Sequence, residues 1–299
     1  MHLNLPTAKK QENQAPGNLY VVGTPIGNRE DITLRAIKIL EDVDIVAAED
    51  TRHTGRLLSF YNIKSHLISY HEHNEKKRSS ILINRLKSGL SIALASNAGT
   101  PCISDPGYSL IREAVANKIR VIPIPGPSAA ISALSVSGLP TDRFVFIGFL
   151  SKKREKLARQ LKALASQLST MIFYESPKRI INLLNEIIDV MGDRDCLLAR
   201  EMTKQHEEFL WGTGAEIIET LSERPVIKGE CTLIVKGCEK HSSLSAESLK
   251  KQITERLETQ DQSLSDIVGI IAKESGVSKN KVYKEAIKIK RSGGAWSRG

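Results

Sequence analysis

From Leu19 onward, short apolar runs alternate with amphipathic stretches, so the chain switches repeatedly between a strand period and a helix period. Residues 19–22, 44–48, 91–95 and 120–123 are apolar runs ending in turn-forming residues, and they predict four strands. Between the first two, a helical period follows Asp31, read as its N-cap, and carries Ile32, Leu34, Ala36, Ile37 and Leu40. Similar periods predict helices over 72–87, 108–117 and 129–137. This alternation implies an α/β layer built on a mainly parallel sheet.

A second alternation follows Gly138-Leu139-Pro140. It predicts strands at 144–148, 170–174, 196–200 and 232–236, and helices at 152–165, 177–191 and 215–222. Beyond Gly237 the strands stop, His241-Ser242-Ser243 reads as a linker, and residues 245–290 carry only helical patterns. The expected organisation is a disordered polar tail at 1–17, an N-terminal α/β domain at 18–137, a C-terminal α/β domain at 138–240 and a basic helical domain at 241–299. In the last, Ala272, Gly276 and Ser278 ahead of Val282 have helix-turn-helix spacing: a small residue for close approach, a turn and an N-cap. Lys279, Lys281, Lys284, Lys288, Lys290 and Arg291 fall on or beside its second helix. Such a face is either a nucleic-acid contact or a solvated helical hairpin.

Charge favours the first. The 299 residues carry 43 Lys+Arg and 34 Asp+Glu, a net charge of +9, and more than half of that excess lies beyond residue 239. A basic balance suits a polyanionic partner. No apolar run approaches the ~18–20 residues a membrane helix needs, and the N-terminal segment lacks the apolar core of a secretory signal. A soluble cytoplasmic protein with no membrane partner is expected. Cys102, Cys196, Cys231 and Cys238 form no C-x-x-C pair and have no closely spaced His pair beside them, so no metal site and no disulfide scaffold is expected.

The candidate chemistry lies in loops at strand ends, where open α/β sheets bind ligands. Gly23-Thr24-Pro25-Ile26-Gly27-Asn28 is neither a dinucleotide fingerprint nor a P-loop, and serves either close backbone approach to a ligand or an ordinary turn. The segment 96–107 packs two prolines, two glycines and one carboxylate, Asp105, into 12 residues, a stiff small-residue loop suited to cradling a ligand. Pro125-Gly126-Pro127-Ser128-Ala129 delivers Ser128 to a helix N-terminus, where free N–H groups accept polar partners. Two polar clusters, 49–53 and 200–207, complete the set.

Taken in order, TPIGNREDITLRA, AAEDTRHT, SYHEHNE, AGTPCISDPGY, PIPGPSAA, SGLPTDRF, FYESPKR and AREMTKQHEEF resemble the bacterial ribosomal small subunit methyltransferase I family, within the tetrapyrrole-methylase-like superfamily. The resemblance spans about residues 19–237. It implies a two-domain tetrapyrrole-methylase-like α/β fold with S-adenosyl-L-methionine in the interdomain cleft, a small C-terminal helical domain and a homodimer. It also implies 2′-O-methylation of a cytidine ribose in 16S rRNA, at the decoding centre of the small ribosomal subunit. The matching cofactor positions are Pro25, Ile26, Ala98, Gly99, Thr100, Ile103, Ser128, Ala129, Tyr174, Met202 and Cys231.

A ribose hydroxyl is a weak nucleophile, so a base accepting its proton would help the transfer. Glu49, Asp50, Asp105, Glu201 and Glu207 are candidates, with Lys204 or Arg52 placing a phosphate or lowering a neighbour's pKa. The Glu49-Asp50 pair is expected to face the ribose, because it ends a strand beside the first loop. His71, His73 and Arg78 are further candidates for holding RNA. One departure stands out: the family usually reads Ser-Asp-Ala-Gly-Thr-Pro where this chain has Asn97. Two other readings stay open, a small-molecule methylase of tetrapyrrole type and an RNA-binding or ribosome-assembly protein with weakened catalysis.

Overall fold

The computed structural model describes residues 15–238, 246–258, 263–275 and 279–292. The chain divides into two compact units after Lys236, with Ser166–Leu168 joining the C-terminal one.

The larger unit holds two five-stranded sheets. In the first, β1 (Leu19–Val22), β2 (Ile45–Ala48), β3 (Leu67–Ser69), β4 (Ile92–Ala95) and β5 (Val121–Ile124) lie in the order β3-β2-β4-β1-β5, and every pairing is parallel. Helices cover both faces, so β2 and β4 are buried at every position and read as unbroken apolar runs. The strand period of two sorts their side chains. Ile45, Ala47, Ile92 and Leu94 pack with Leu82 and Leu86 of α3 (Glu75–Lys87) and Leu110 of α4 (Tyr108–Ala116). Val46, Ala93 and Ala95 face the other way, onto α1 (Leu34–Asp42) and α2 (Thr51–Phe60).

The second sheet is mixed, in the order β6-β7-β10-β8-β9. It contains β6 (Phe144–Phe149), β7 (Thr170–Glu175), β8 (Asp195–Arg200), β9 (Glu208–Thr213) and β10 (Cys231–Val235). Only β6 and β7 run parallel. One face packs on α6 (Arg154–Leu164), α7 (Ile180–Met191) and α8 (Gly214–Ser222). The other face receives α5 (Ala129–Ser135), whose Ala130, Ala133 and Leu134 meet Ile172, Leu197 and Ile234. The small side chains of α5 allow that close approach, which seats the PGPSA turn against the second sheet.

Three readings from sequence need correction. Asp31 ends a one-turn 3-10 helix, and the N-cap of α1 is Thr33, whose hydroxyl accepts from the Ala36 N–H at 3.1 Å. Gly17, assigned to the tail, is buried with its N–H on the Leu86 carbonyl at 2.8 Å; residues 1–14 of that tail lie outside the described residues. The helix expected from residue 72 starts at Glu75, because Asn74 first folds back to accept from the His71 N–H.

The smaller unit contains α9 (Ala246–Glu258), α10 (Leu264–Ser275) and α11 (Lys279–Ser292) around Leu249, Ile253, Ile267, Ile271, Val282 and Ala286. Lys279, Lys281, Lys284, Lys288 and Lys290 are all exposed. The 241–243 linker and the proposed turn and cap at Gly276 and Ser278 lie outside the described residues. No helix among the described residues is long and apolar enough to cross a membrane.

Candidate functional site

The loops that follow β1, β4 and β5 converge where the parallel strands end. Gly23 and Gly126 pass so closely that a Cβ on Gly23 would lie 2.9 Å from the Gly126 Cα, which only paired glycines allow. Thr24 and Gly99 exchange backbone hydrogen bonds of 2.9 and 3.0 Å, tying the first loop to the second.

The 96–107 loop holds unusual backbone. Gly99, Cys102, Ser104 and Gly107 have φ of 74°, 73°, 66° and 141°. Left-handed non-glycine residues cost about 1–3 kcal/mol each and persist only where their surroundings over-determine them. Here Glu75 supplies part of that constraint. Its Oε1 accepts from the Gly107 N–H at 3.3 Å, the Ser109 N–H at 3.0 Å and the buried Tyr70 hydroxyl at 3.1 Å. A β-bulge at Gly148 leaves room on the far side, where a Cβ would come within 3.0 Å of Ser104 Oγ.

These loops and the second sheet enclose a cleft of about 310 Å³. Gly99, Ala98, Thr100 and Ser128 offer backbone and hydroxyl groups, while Ile26, Ile103, Phe149 and Tyr174 give apolar area. Tyr174 meets Phe146 and Phe149 edge to face at 5.0 and 5.6 Å. The cleft also holds carboxylates. Glu175 is buried, with its Oε1 on the Ser176 N–H at 2.7 Å and the Arg179 guanidinium 2.9 Å from Oε2. Asp105 is raised to about 6, first by burial and then by the neighbouring charge of Glu49. Glu49 itself accepts from the Asn97 N–H at 3.0 Å.

Beyond the Asn97-Ala98 peptide lies a second cavity of about 470 Å³, which shares Ile26, Ala98 and Glu230 with the first. Its wall is polar: Arg29, Asp50, His53, Arg56 and Lys204 line it together with Asn97. Asp50 caps α2, accepting from the Arg52 N–H at 2.8 Å and pairing with the Arg52 side chain at 3.1 Å. Arg52's hydrogen bonds hold it down at about 2. Lys204 lies between Glu201 at 2.8 Å and Glu230 at 2.9 Å; burial opposes its charge, but the two carboxylates keep its pKa above the ordinary value.

Of the eleven positions read as cofactor contacts, nine line the first cleft. Pro25 lines the second cavity, and Met202, 8% exposed, sits in the core beneath α5. Asp105 enters the first cleft, whereas Asp50 and Lys204 border the second, and Glu49 stands between as the anchor of Asn97. Glu201 and Glu207 serve the turn before β9: Glu201 accepts from the Glu230 N–H at 3.0 Å and Glu207 from the Thr203 N–H at 2.6 Å. His71 bonds Asn74 at 3.1 Å and meets His73 edge to face at 5.9 Å, both apart from the two cavity walls. Sequence reasoning missed Glu175, Glu230, Arg29 and Arg56. Glu175 lay unremarked within FYESPKR and Arg29 within TPIGNREDITLRA, while Arg56 and Glu230 join the site only through tertiary folding. Among the described residues, no group of three or more His, Cys, Asp or Glu could hold a metal ion.

Residues 18–218 match the Tetrapyrrole (Corrin/Porphyrin) Methylases family. Curated relatives named ribosomal RNA small subunit methyltransferase I include that of Escherichia coli O157:H7, 43% identical over 278 residues and covering 92% of this chain and 96% of the relative. That of Thermotoga maritima is 46% identical over 223 residues, which are 75% of this chain and 100% of the relative. Among solved structures, diphthine synthase superposes with a TM-score of 0.57 at 16% identity, covering 74% of this chain and 90% of that one. A uroporphyrin-III C-methyl transferase from Thermus thermophilus, complexed with S-adenyl homocysteine, gives 0.52 at 17% identity, covering 73% and 97%. At these identities the likeness is one of fold.

Proposed function

This chain belongs to the ribosomal RNA small subunit methyltransferase I family of the tetrapyrrole methylases, and we propose that it methylates the ribose 2′-oxygen of a cytidine in the decoding centre of 16S rRNA. S-adenosyl-L-methionine is its methyl donor, the cytoplasm its compartment and a homodimer its working form, as the family resemblance implies.

The first cleft fits the donor. Its glycine, alanine and serine walls present main-chain groups to an amino-acid moiety, and its aromatic and aliphatic side suits an adenine ring. When bound there, S-adenosyl-L-methionine supplies an electrophilic methyl group and departs as a neutral thioether. The residues that would hold it are Ile26, Ala98, Gly99, Thr100, Ile103, Ser128, Ala129, Tyr174 and Cys231, while Pro25 lines the neighbouring cavity and Met202 packs in the core beneath α5.

The observation that carries the catalytic reading is Asp105, a carboxyl raised to about 6 in the wall of this cleft. A base of that pKa is ionised at neutral pH yet retains real affinity for a proton. It accepts the ribose hydroxyl proton, while Glu49 keeps its proton affinity high and fixes the Asn97 backbone. The exposed lysines of α11 add a surface for the RNA backbone.

The test is incubation with labelled S-adenosyl-L-methionine and small subunits from cells lacking this enzyme, followed by mass-spectrometric mapping. One methyl on a decoding-centre cytidine ribose is expected. Methylation of a tetrapyrrole instead, or donor binding with no transfer to rRNA, overturns the reading.

A further inference from the structure

Charge bookkeeping in the second cavity points to its occupant. Asp50 is neutralised by Arg52, and Lys204 by Glu201 and Glu230. Arg29 and Arg56 have no ion-pair partner among the described residues, so the wall keeps two unpaired guanidinium groups, against one carboxylate charge in excess at the Lys204 cluster. A nucleotide within an RNA strand carries one phosphate on each side of its ribose, so two unpaired guanidinium groups lining one cavity supply one partner for each.

A second observation lies at the rim. The Arg29 guanidinium stands 4.7 Å above the ring of Phe60, and Phe60 meets Tyr61 edge to face at 5.0 Å. Phe60 is 52% exposed, although it terminates a helix whose inner face is well buried. An exposed aromatic under an arginine beside a cationic cavity is a stacking platform for an unpaired base. The Tyr61 hydroxyl, donating to the Arg29 carbonyl at 2.7 Å, fixes both parts together.

The third observation is Asn97. Its Oδ1 is buried without any hydrogen-bond partner, while its backbone N–H is held by Glu49. A buried acceptor left unpaired costs about 1–3 kcal/mol, so a ligand donor that fills it is favoured. Asn97 stands in the second cavity's wall, and its neighbour Ala98 lines both cavities.

Resting on the methyltransferase reading above, we propose that this second cavity receives one ribonucleotide splayed out of single-stranded RNA. Arg29 and Arg56 take its two flanking phosphates, Phe60 stacks the adjacent base, and Asn97 Oδ1 accepts a hydrogen bond from the nucleotide. A paired duplex cannot enter, because both its bases and their stacking partners stay inside the helix. The proposal makes Asn97 a residue of acceptor recognition and leaves donor binding to the first cleft.

The test compares wild-type protein with Arg29→Ala/Arg56→Ala, Phe60→Ala and Asn97→Leu. Binding of S-adenosylhomocysteine within about twofold of wild type shows that each variant is folded and that the first cleft is intact. Filter binding of unmethylated small subunits in its presence reads the second cavity. The arginine pair should weaken subunit binding about 10-fold or more and lower the salt slope of binding by about 1.4, as expected for two lost single-strand phosphate contacts. Phe60→Ala and Asn97→Leu should each raise KM for subunits several-fold, with the salt slope unchanged. Wild-type subunit affinity and slope in the arginine pair overturn the proposal, as does equal loss of affinity for a double-stranded RNA of matched length. Failure of wild-type protein to methylate the subunits at all is a different result, and counts against the reading on which this one rests.

Discussion

Asp50 and Asp105 follow adjacent strands of one parallel sheet, β2 and β4, yet their carboxyls stand near opposite ends of the carboxylate range, at about 2 and about 6. Asp50 caps a helix and clasps an arginine, and each of those contacts favours the charged form. Asp105 is enclosed by a stiff loop, faces Glu49 and has only a Ser96 contact to offset the burial. Following a strand therefore says little about chemistry, because the loop's own packing decides whether a carboxyl is held ionised, as Asp50 is, or pushed upward, as Asp105 is.

The largest effect should come from removing the raised carboxyl. Asp105→Asn is expected to lower kcat by about 10²–10³-fold, the ordinary contribution of a positioned base, with donor affinity within about threefold. In wild type, log kcat should climb with pH up to about 6 and then level, and the variant should lose that rise. Stability moves the other way. The folded-state pKa lies above the ordinary value of about 3.9, so the folded protein binds more protons than the unfolded chain between pH 4 and 6. Stability from this group therefore falls as pH rises through that window, and Asp105→Asn should show a higher Tm than wild type at pH 8. A pH-rate profile unchanged in the variant would remove Asp105 from the chemistry.

An intermediate effect sharpens the contrast by altering Asp105's neighbour rather than the group itself. Glu49→Gln keeps an acceptor for the Asn97 N–H but removes the charge that helps raise Asp105. The midpoint of the pH-rate profile should shift downward. Asn97→Asp, which restores the residue usual in the family, adds a negative charge beside Glu49 and should shift it upward. Movement in the same direction in both variants would show that the midpoint belongs to another group.

Much of this architecture was legible along the chain. Strands such as β2 and β4 are buried on both faces, so IVAA and IALA announce themselves as apolar runs. By contrast, β3 has three residues, all half-buried, and β9 is an edge strand with its Trp211 exposed; neither has a clear period. Helix α2 went unread because its first turn, TRHT, looks like a polar loop until Asp50 is seen to cap it. The cleft was foreshadowed by the glycine and proline loops, since ligand cradling by main chain needs small residues. The second cavity was not, because Arg29, Arg56 and Lys204 are separated by up to 175 residues and carry no common pattern. The pairing of Glu49 with Asp50 as a catalytic couple reflected adjacency in sequence; in the fold one anchors a loop and the other caps a helix.

The smallest effect should come from Asp50→Asn, and its smallness is informative. Asn is as good an N-cap as Asp, so the bonds to the α2 backbone can be remade. What is lost is an exposed pairing with Arg52, a kind of contact that contributes little in water. Kcat should stay within about twofold, and Tm at pH 7 should barely move. The residual difference has a definite sign. A carboxyl held at about 2 in the folded chain stabilises it above the ordinary value near 3.9, and that contribution disappears as pH falls through 2. Wild type should therefore hold a slight advantage at pH 7 that vanishes by about pH 2, whereas Asp105→Asn should gain on wild type as pH rises. A large loss of kcat in Asp50→Asn, with the helix intact by circular dichroism, would mean that the lowered carboxylate acts on substrate after all. The division between cap and base would then have to be drawn elsewhere along the two loops.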